Sequence, residues 1–326
     1  MKNKKLSAFS FIELSIVILI IGILVAGIVS SSRLVGQYRI TSARNTSSSS
    51  SIASISGMIL WLDVVAENKI TNTSDVAPVD GDRVKTWVDA NPQSTTPITF
   101  SQPAAGTGPV YESDGINNLP TLYYQGTASG GTGTWDHDSD NGTAAVSSAG
   151  CLTNGSYDST INPGRFTAFI VFQPLVDVSS NTGSIYSSVG SNTGFSLVKA
   201  ATKLTANFGT GSGVKALHSV STALRNSYIM SMTRSATTSN YYLNGAVATT
   251  SSTGAEDAAT LTALTVAAYT ANSTAATGVG CAVTPGLYFN GYISEVILFD
   301  RDLKAEERRS VESYLSKKYG VRVSVS

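Results

Sequence analysis

The run from Phe9 to Val29 constrains this chain more than any other part of it. It reads Phe-Ser-Phe-Ile-Glu-Leu-Ser-Ile-Val-Ile-Leu-Ile-Ile-Gly-Ile-Leu-Val-Ala-Gly-Ile-Val, and everything except Ser10, Glu13 and Ser15 is apolar or glycine. As a helix rising about 1.5 Å per residue, it is long enough to span the ~30 Å hydrocarbon core of a bilayer. Lys2, Lys4 and Lys5 precede it, so the positive-inside rule keeps that end cytoplasmic and directs the bulk of the chain outward. A carboxylate in hydrocarbon is expensive and requires a partner, and an intramembrane acid marks function by default.

Three readings compete for this segment. A secretory signal has an apolar region of about 7–15 residues followed by a small-residue cleavage site. This run is longer, and Ser30–Ser32 is a poor substitute for Ala-x-Ala. A plain membrane anchor explains the length but not the acid near its start, unless Glu13 lies close enough to the interface to snorkel. The residues themselves resemble the amino-terminal signature of type IV prepilins and the related type II secretion pseudopilins. That signature is a short basic leader, a small residue, then Phe-Thr-Leu-Ile-Glu-Leu and an apolar helix. Ala8 stands here where glycine is usual, and Ser10 where threonine is common.

The resemblance covers residues 1 to about 30. It implies a leader of residues 1–8, cut by a prepilin peptidase between Ala8 and Phe9, with N-methylation of Phe9. It also implies a partner for Glu13, namely the α-amine freed on Phe9 of a neighbouring subunit. An unpaired buried charge costs several kcal/mol, so this pairing would favour assembly with other pilin-like subunits in one register.

Composition agrees with export. Charged residues make up 13% of the chain against a typical ~25%, and Ser, Thr and Asn supply the polar surface instead. The net charge of +0 gives no reason to expect a nucleic-acid partner. The only cysteines, Cys151 and Cys281, lie far apart in sequence. Outside the cytoplasm an even count suggests a disulfide; two buried free thiols are the alternative.

The helix is expected to run over residues 9–44, with 9–29 in the membrane, because Leu34, Val35 and Tyr38 share a face at helical spacing. Residues 45–57 read as a Ser-rich linker, since Ser and Thr compete with helical backbone bonds. From residue 58 to 326 the chain reads as β. Strands are expected at 59–65, 84–88, 122–124, 166–172, 228–233, 264–268 and 292–299. Tyr241–Val247 with Asn244-Gly245 forms a hairpin, because Asn-Gly accommodates the positive φ angles of a type I′ turn. Ile293 and Val296 differ in parity, so a bulge near Ser294 or Glu295 is needed to turn both inward. An amphipathic helix over about 304–319 closes the chain, with Leu303, Val311, Leu315 and Tyr319 on one face and Gly320 as C-cap.

Leu60-Trp61-Leu62-Asp63 with Trp87-Val88-Asp89, the Tyr241–Val247 hairpin, and Phe289–Phe299 followed by Asp302-Leu303 and the final helix carry a second resemblance. They look like the laminin-G-like members of the concanavalin A-like lectin/glucanase superfamily. Lys304 departs from the Ser or Thr cap common there. The resemblance spans about residues 58–321 and implies a mainly β chain, an antiparallel jelly-roll β-sandwich with a C-terminal helix behind the long amino-terminal one. It fixes fold better than activity.

Hydrolases of that superfamily carry Glu-x-Asp-x-Glu on one strand, and no such triplet occurs here. Glu112-Ser113-Asp114 is the nearest pair and reads as a solvated couple in a loop; Asp80-Gly81-Asp82 reads as an acidic turn. With only His137 and His218, no Ser/His/Asp set declares itself, so no catalytic residue and no enzyme is expected. Asp136, Asp138 and Asp140 alternate in a loop that ends at Gly142, which either directs oxygens at a calcium ion or is simply solvated. Trp135 beside them either stacks on a sugar or covers a loop. Tyr123-Tyr124 and Tyr241-Tyr242 are each expected to place one ring in the core and one at the surface.

The expected function is binding. The chain reads as a minor or tip subunit of a type IV pilus-type filament, displaying a lectin-like domain toward a glycan or a surface protein. A pseudopilin of a secretion system, contacting cargo, is the alternative, and a membrane-tethered glycan binder or hydrolase a third. The expected location is the bacterial inner membrane before assembly, then a pilus or periplasmic pseudopilus.

Overall fold

The computed structural model describes residues 11–103, 108–124, 151–154, 165–175, 182–188, 195–200, 203–209, 214–235, 238–252, 264–266 and 289–324. It opens with one continuous helix, α1 (Phe11–Ser48). The described apolar side chains from Phe11 to Val25 are exposed, as are Leu34, Val35 and Tyr38. Among the described residues no helix is long and apolar enough to cross a membrane.

The helix ends later than residue 44, and the expected linker is instead packed structure. Ser51–Ser54 form a 3-10 turn whose Ile52 is 1% exposed. Serine here does not compete with the helix but closes it: the Ser48 and Ser49 hydroxyls donate to the Asn45 carbonyl, while Ile52 supplies the apolar contact that docks the turn.

The strands follow in chain order as β1 (Met58–Asp63), β2 (Ile70–Asn72), β3 (Val84–Val88), β4 (Thr99–Ser101), β5 (Val110–Glu112), β6 (Thr121–Tyr124), β7 (Leu152–Asn154), β8 (Phe166–Pro174), β9 (Thr182–Ser188), β10 (Phe195–Ala200), β11 (Lys203–Gly209), β12 (Val214–Ser221), β13 (Tyr228–Arg234), β14 (Thr238–Leu243), β15 (Ala246–Ser252), β16 (Leu264–Val266) and β17 (Gly291–Phe299); helix α2 (Ala305–Tyr319) ends the fold. Every described pairing is antiparallel. One sheet runs β15-β14-β13-β8-β17-β6-β5, with β1 also on β17; the second runs β12-β11-β10-β9-β16-β7-β4-β3-β2.

The molecule has three layers. Between the sheets lies an apolar core of Leu60, Leu62, Trp87, Phe100, Phe172, Met230, Ile293 and Val296, among others. Behind the first sheet, α2, the end of α1 and the 3-10 turn bury Trp61, Tyr123, Phe169, Ile297, Val311 and Leu315. Strands of the first sheet are therefore buried on both faces, and β8, β13 and β17 carry apolar side chains on each side, as a covered sheet demands. The same covering buries both Tyr123 and Tyr124, one on each face, against the expectation of one surface ring. Tyr241 lies in the core, and Tyr242 stacks under the Arg308 guanidinium at 3.6 Å.

Three local expectations hold. The Asn244-Gly245 turn has φ of 51° and 75°, and the register of β17 on β8 slips between Ile293 and Glu295. That bulge turns Ile293 and Val296 to the same core. Helix α2 buries Val311, Leu315 and Tyr319 and ends at Gly320 in the left-handed region, φ 65°. In place of a Ser or Thr cap, Glu307 accepts from the Lys304 backbone N–H at 2.9 Å.

Candidate functional site

The bulge has a second effect, on the outer face of β17. It turns Glu295 away from the apolar core and toward the helices, opposite Asp63, its register partner on β1. Asp63 faces the same way because Leu60, Leu62 and Val64 alternate inward while Trp61 and Asp63 alternate outward. From α2, Lys318 reaches between the two carboxylates. Its Nζ lies 2.7 Å from Asp63 Oδ2 and 2.7 Å from Glu295 Oε2. All three side chains are at most 1% exposed.

The remaining lone pairs are also occupied. Glu295 Oε1 accepts from the Trp61 indole at 2.7 Å and the Tyr314 hydroxyl at 2.8 Å, and Oε2 accepts from Tyr319 at 2.9 Å. Asp63 Oδ1 takes the Val65 N–H at 3.0 Å, and Oδ2 the Ser47 hydroxyl at 2.9 Å. Burial pushes the Glu295 carboxyl above its ordinary range, and burial beside that acid pushes the Tyr314 and Tyr319 hydroxyls up further. Ser47 belongs to α1, so this cluster fastens the end of the long helix to the first and last elements of the sandwich. Beside it a cleft of about 520 Å³ opens between α1 and the following loops, lined by Arg44, Ser47, Trp61, Asp63, Glu67 and Lys69 among others.

A second group lies at the β5 edge of the first sheet. Asp80, Glu112 and Asp114 bring carboxylate oxygens within 4.8 Å of one another, and the Ser113 N–H donates to Asp80 at 2.7 Å. Glu112 thus ends strand β5 rather than sitting in a loop, and Asp80 of the Asp80-Gly81-Asp82 turn lies beside the Glu112–Asp114 pair.

The residues singled out from the sequence fare unevenly. Glu13 lies in the first turn of α1 and is exposed. Ala8 and Phe9 lie outside the described residues, as do Trp135, Asp136, Asp138, Asp140 and Cys281. Cys151 is fully buried and disulfide-bonded. The buried cluster of Asp63, Glu295 and Lys318 was not anticipated. Its sequence signal was the charged Glu295 within the strand Tyr292–Phe299, which is apolar apart from it and Ser294 and has no solvated face to put it on.

No protein-family model and no curated protein matches the chain. Among solved structures it is similar to one of botulinum neurotoxin type C, a toxin whose passage into cells depends upon interaction with two ganglioside molecules. The TM-score is 0.51 at 13% identity, covering 81% of this chain and 52% of that one. It is also similar to the botulinum neurotoxin type G receptor binding domain, at TM-score 0.48 and 12% identity over 82% of this chain and 54% of that one. A third is the binding domain of botulinum neurotoxin DC in complex with SialylT, at TM-score 0.46 and 10% identity over 79% and 51%. The chain spans about half the length of the structures it matches. At such identity the first of these likenesses is one of fold, and it agrees with the two packed antiparallel sheets: the domain is an antiparallel β-sandwich.

Proposed function

We propose that this chain is a pilin-like subunit, in a minor or tip position, that carries a lectin-like binding domain on a type IV pilus-type filament. One observation carries the reading: α1 is a single helix from Phe11 to Ser48 whose described apolar side chains are exposed along its first half. Exposed apolar surface on that scale needs an apolar environment. The Phe9–Val29 run supplies the length for a bilayer before assembly, and neighbouring subunits supply the environment afterwards. Glu13 then pairs with the α-amine of Phe9 on the next subunit once residues 1–8 are removed.

At the other end, the buried cluster around Lys318 and the packing of Ile52 fasten the helix to the sandwich, which suits a domain displayed from a filament. The type C neurotoxin's interaction with gangliosides supports a glycan as the ligand class, and the lack of any catalytic constellation in the sequence favours binding over hydrolysis.

Amino-terminal sequencing of the protein from sheared surface fibres tests the reading. It should begin at a methylated Phe9, and Glu13→Ala should reduce incorporation into fibres while leaving membrane insertion intact. A protein that keeps residues 1–8 and never enters fibres would overturn it. Glycan-array binding by the intact protein tests the ligand class separately.

A further inference from the structure

The cluster around Lys318 is built for more than charge pairing. We propose that the Lys318 amine condenses with the Asp63 carboxyl to form an intramolecular amide, joining the first strand of the sandwich to its last helix.

Three features of the site support this. The ammonium and two carboxylates are held at 2.7 Å with almost no access to solvent, so the reactants meet at very high effective concentration and bulk water does not reverse the step. The two carboxylates are unequally placed. Glu295 has both oxygens tied down by the indole and by two tyrosine hydroxyls besides the lysine. Asp63 has a backbone N–H on Oδ1, which polarises that oxygen as a carbonyl, and the lysine and Ser47 on Oδ2, the oxygen that must leave. Finally, condensation replaces the buried Lys318–Asp63 ion pair by a neutral amide and so removes that pair's desolvation cost from the folded state.

The step balances without any co-reactant. Glu295 accepts a proton from the Lys318 ammonium, and the neutral nitrogen attacks Asp63 Cγ. The N–C bond forms, the Cγ–Oδ2 bond breaks, and Oδ2 leaves as water carrying the protons that the nitrogen has given up, relayed through Glu295. Glu295 ends as it began, and nothing is oxidised or reduced. Ser47 and Asp63 border the cleft beside α1, which gives the water a way out. The aromatic shell of Trp61, Tyr314 and Tyr319 keeps the relay dry.

In the filament reading this link would take mechanical load, but the chemistry does not depend on that reading. The full chain, extracted from membranes, unfolded, reduced and digested, should yield a branched peptide joining the segment that contains Asp63 to the segment that contains Lys318, lighter by one water, about 18 Da, than the two together. Glu295→Gln, which keeps the carbonyl oxygen but cannot relay protons, should abolish the branched peptide, as should Lys318→Met. Asp63→Asn should give the same link with ammonia lost instead of water. Recovery of both segments as separate linear peptides from the wild-type chain overturns the proposal. So does a one-water deficit that maps to an Asp-Gly succinimide at Asp80 or Asp114, or a link from Lys318 to Glu295.

Discussion

Asp63 and Glu295 stand directly opposite each other across β1 and β17, two acids in a register position where like charges repel. Lys318 is what makes the pairing tolerable. Removing it leaves two buried carboxylates with neither a cation between them nor the amide that the lysine forms, so Lys318→Met should destabilise the full chain by about 3–5 kcal/mol. The double variant Asp63→Asn, Lys318→Met should recover part of that loss, because it removes the repulsion as well as the cation. Urea unfolding in detergent measures both; equal stability of the two variants would show that the carboxylates do not interact.

The start of α2 depends on pH in a defined window. Arg301 forks onto Glu307 with bonds of 2.8 and 2.7 Å, and this bidentate contact, with the Lys304 N–H, holds the Glu307 carboxyl down from 4.5 to about 2. Because the folded value is depressed, the contribution is fully present above the unfolded value of 4.5. It is lost as pH falls from there through about 2. The pair is partly exposed, so solvent screening limits its worth to about 1 kcal/mol. Glu307→Gln should therefore cost about that much at pH 7 and converge on the wild type near the acid end of the window.

The Asn244-Gly245 turn does more than reverse the chain. Asn244 Oδ1 accepts the Ile229 N–H at 2.8 Å, and its carbonyl accepts the Ser324 N–H at 2.8 Å. A Cβ on Gly245, at φ 75°, would come 2.6 Å from the Ser324 carbonyl oxygen. Gly245→Ala should thus cost about 1–3 kcal/mol and release the C-terminal segment first. Hydrogen exchange at residues 321–324 should rise in the variant before the rest of the sheet is affected.

Elements that bury an apolar stripe were legible from sequence: β1, β8, β13, β17 and α2 each display the periodicity that their packing uses. The bulge in β17 was legible from the parity of Ile293 and Val296. Strands β9 to β12 were not, because each mixes a few apolar residues with polar and small ones and their pairing is set by neighbours in the sheet rather than by local propensity. The joint around Lys318 was hidden for a different reason. Asp63 and Glu295 are far apart in sequence, and it takes both the register of β1 on β17 and the packing of α2 to bring them to Lys318. The linker expectation failed at Ile52, since one buried isoleucine outweighs the helix-breaking tendency of the serines around it.

That isoleucine gives the joint a direct test. Arg44 is tied by its Nε to the Val65 carbonyl at 2.8 Å, and Ile52 is packed with Ala43, Trp61 and Leu315 in the layer behind the first sheet. Ile52→Asp places a charge in that layer, which should cost about 3 kcal/mol or more and undock the end of α1 while the inter-sheet core, which contains none of these residues, stays folded. The peptide bond after Arg44 then becomes available to trypsin. Limited digestion should cut the variant there and leave the wild type intact, and a joint that resists cleavage in both would mean that the hydrogen bonds of Ser47 and Arg44, not the apolar contact, hold the helix to the sandwich.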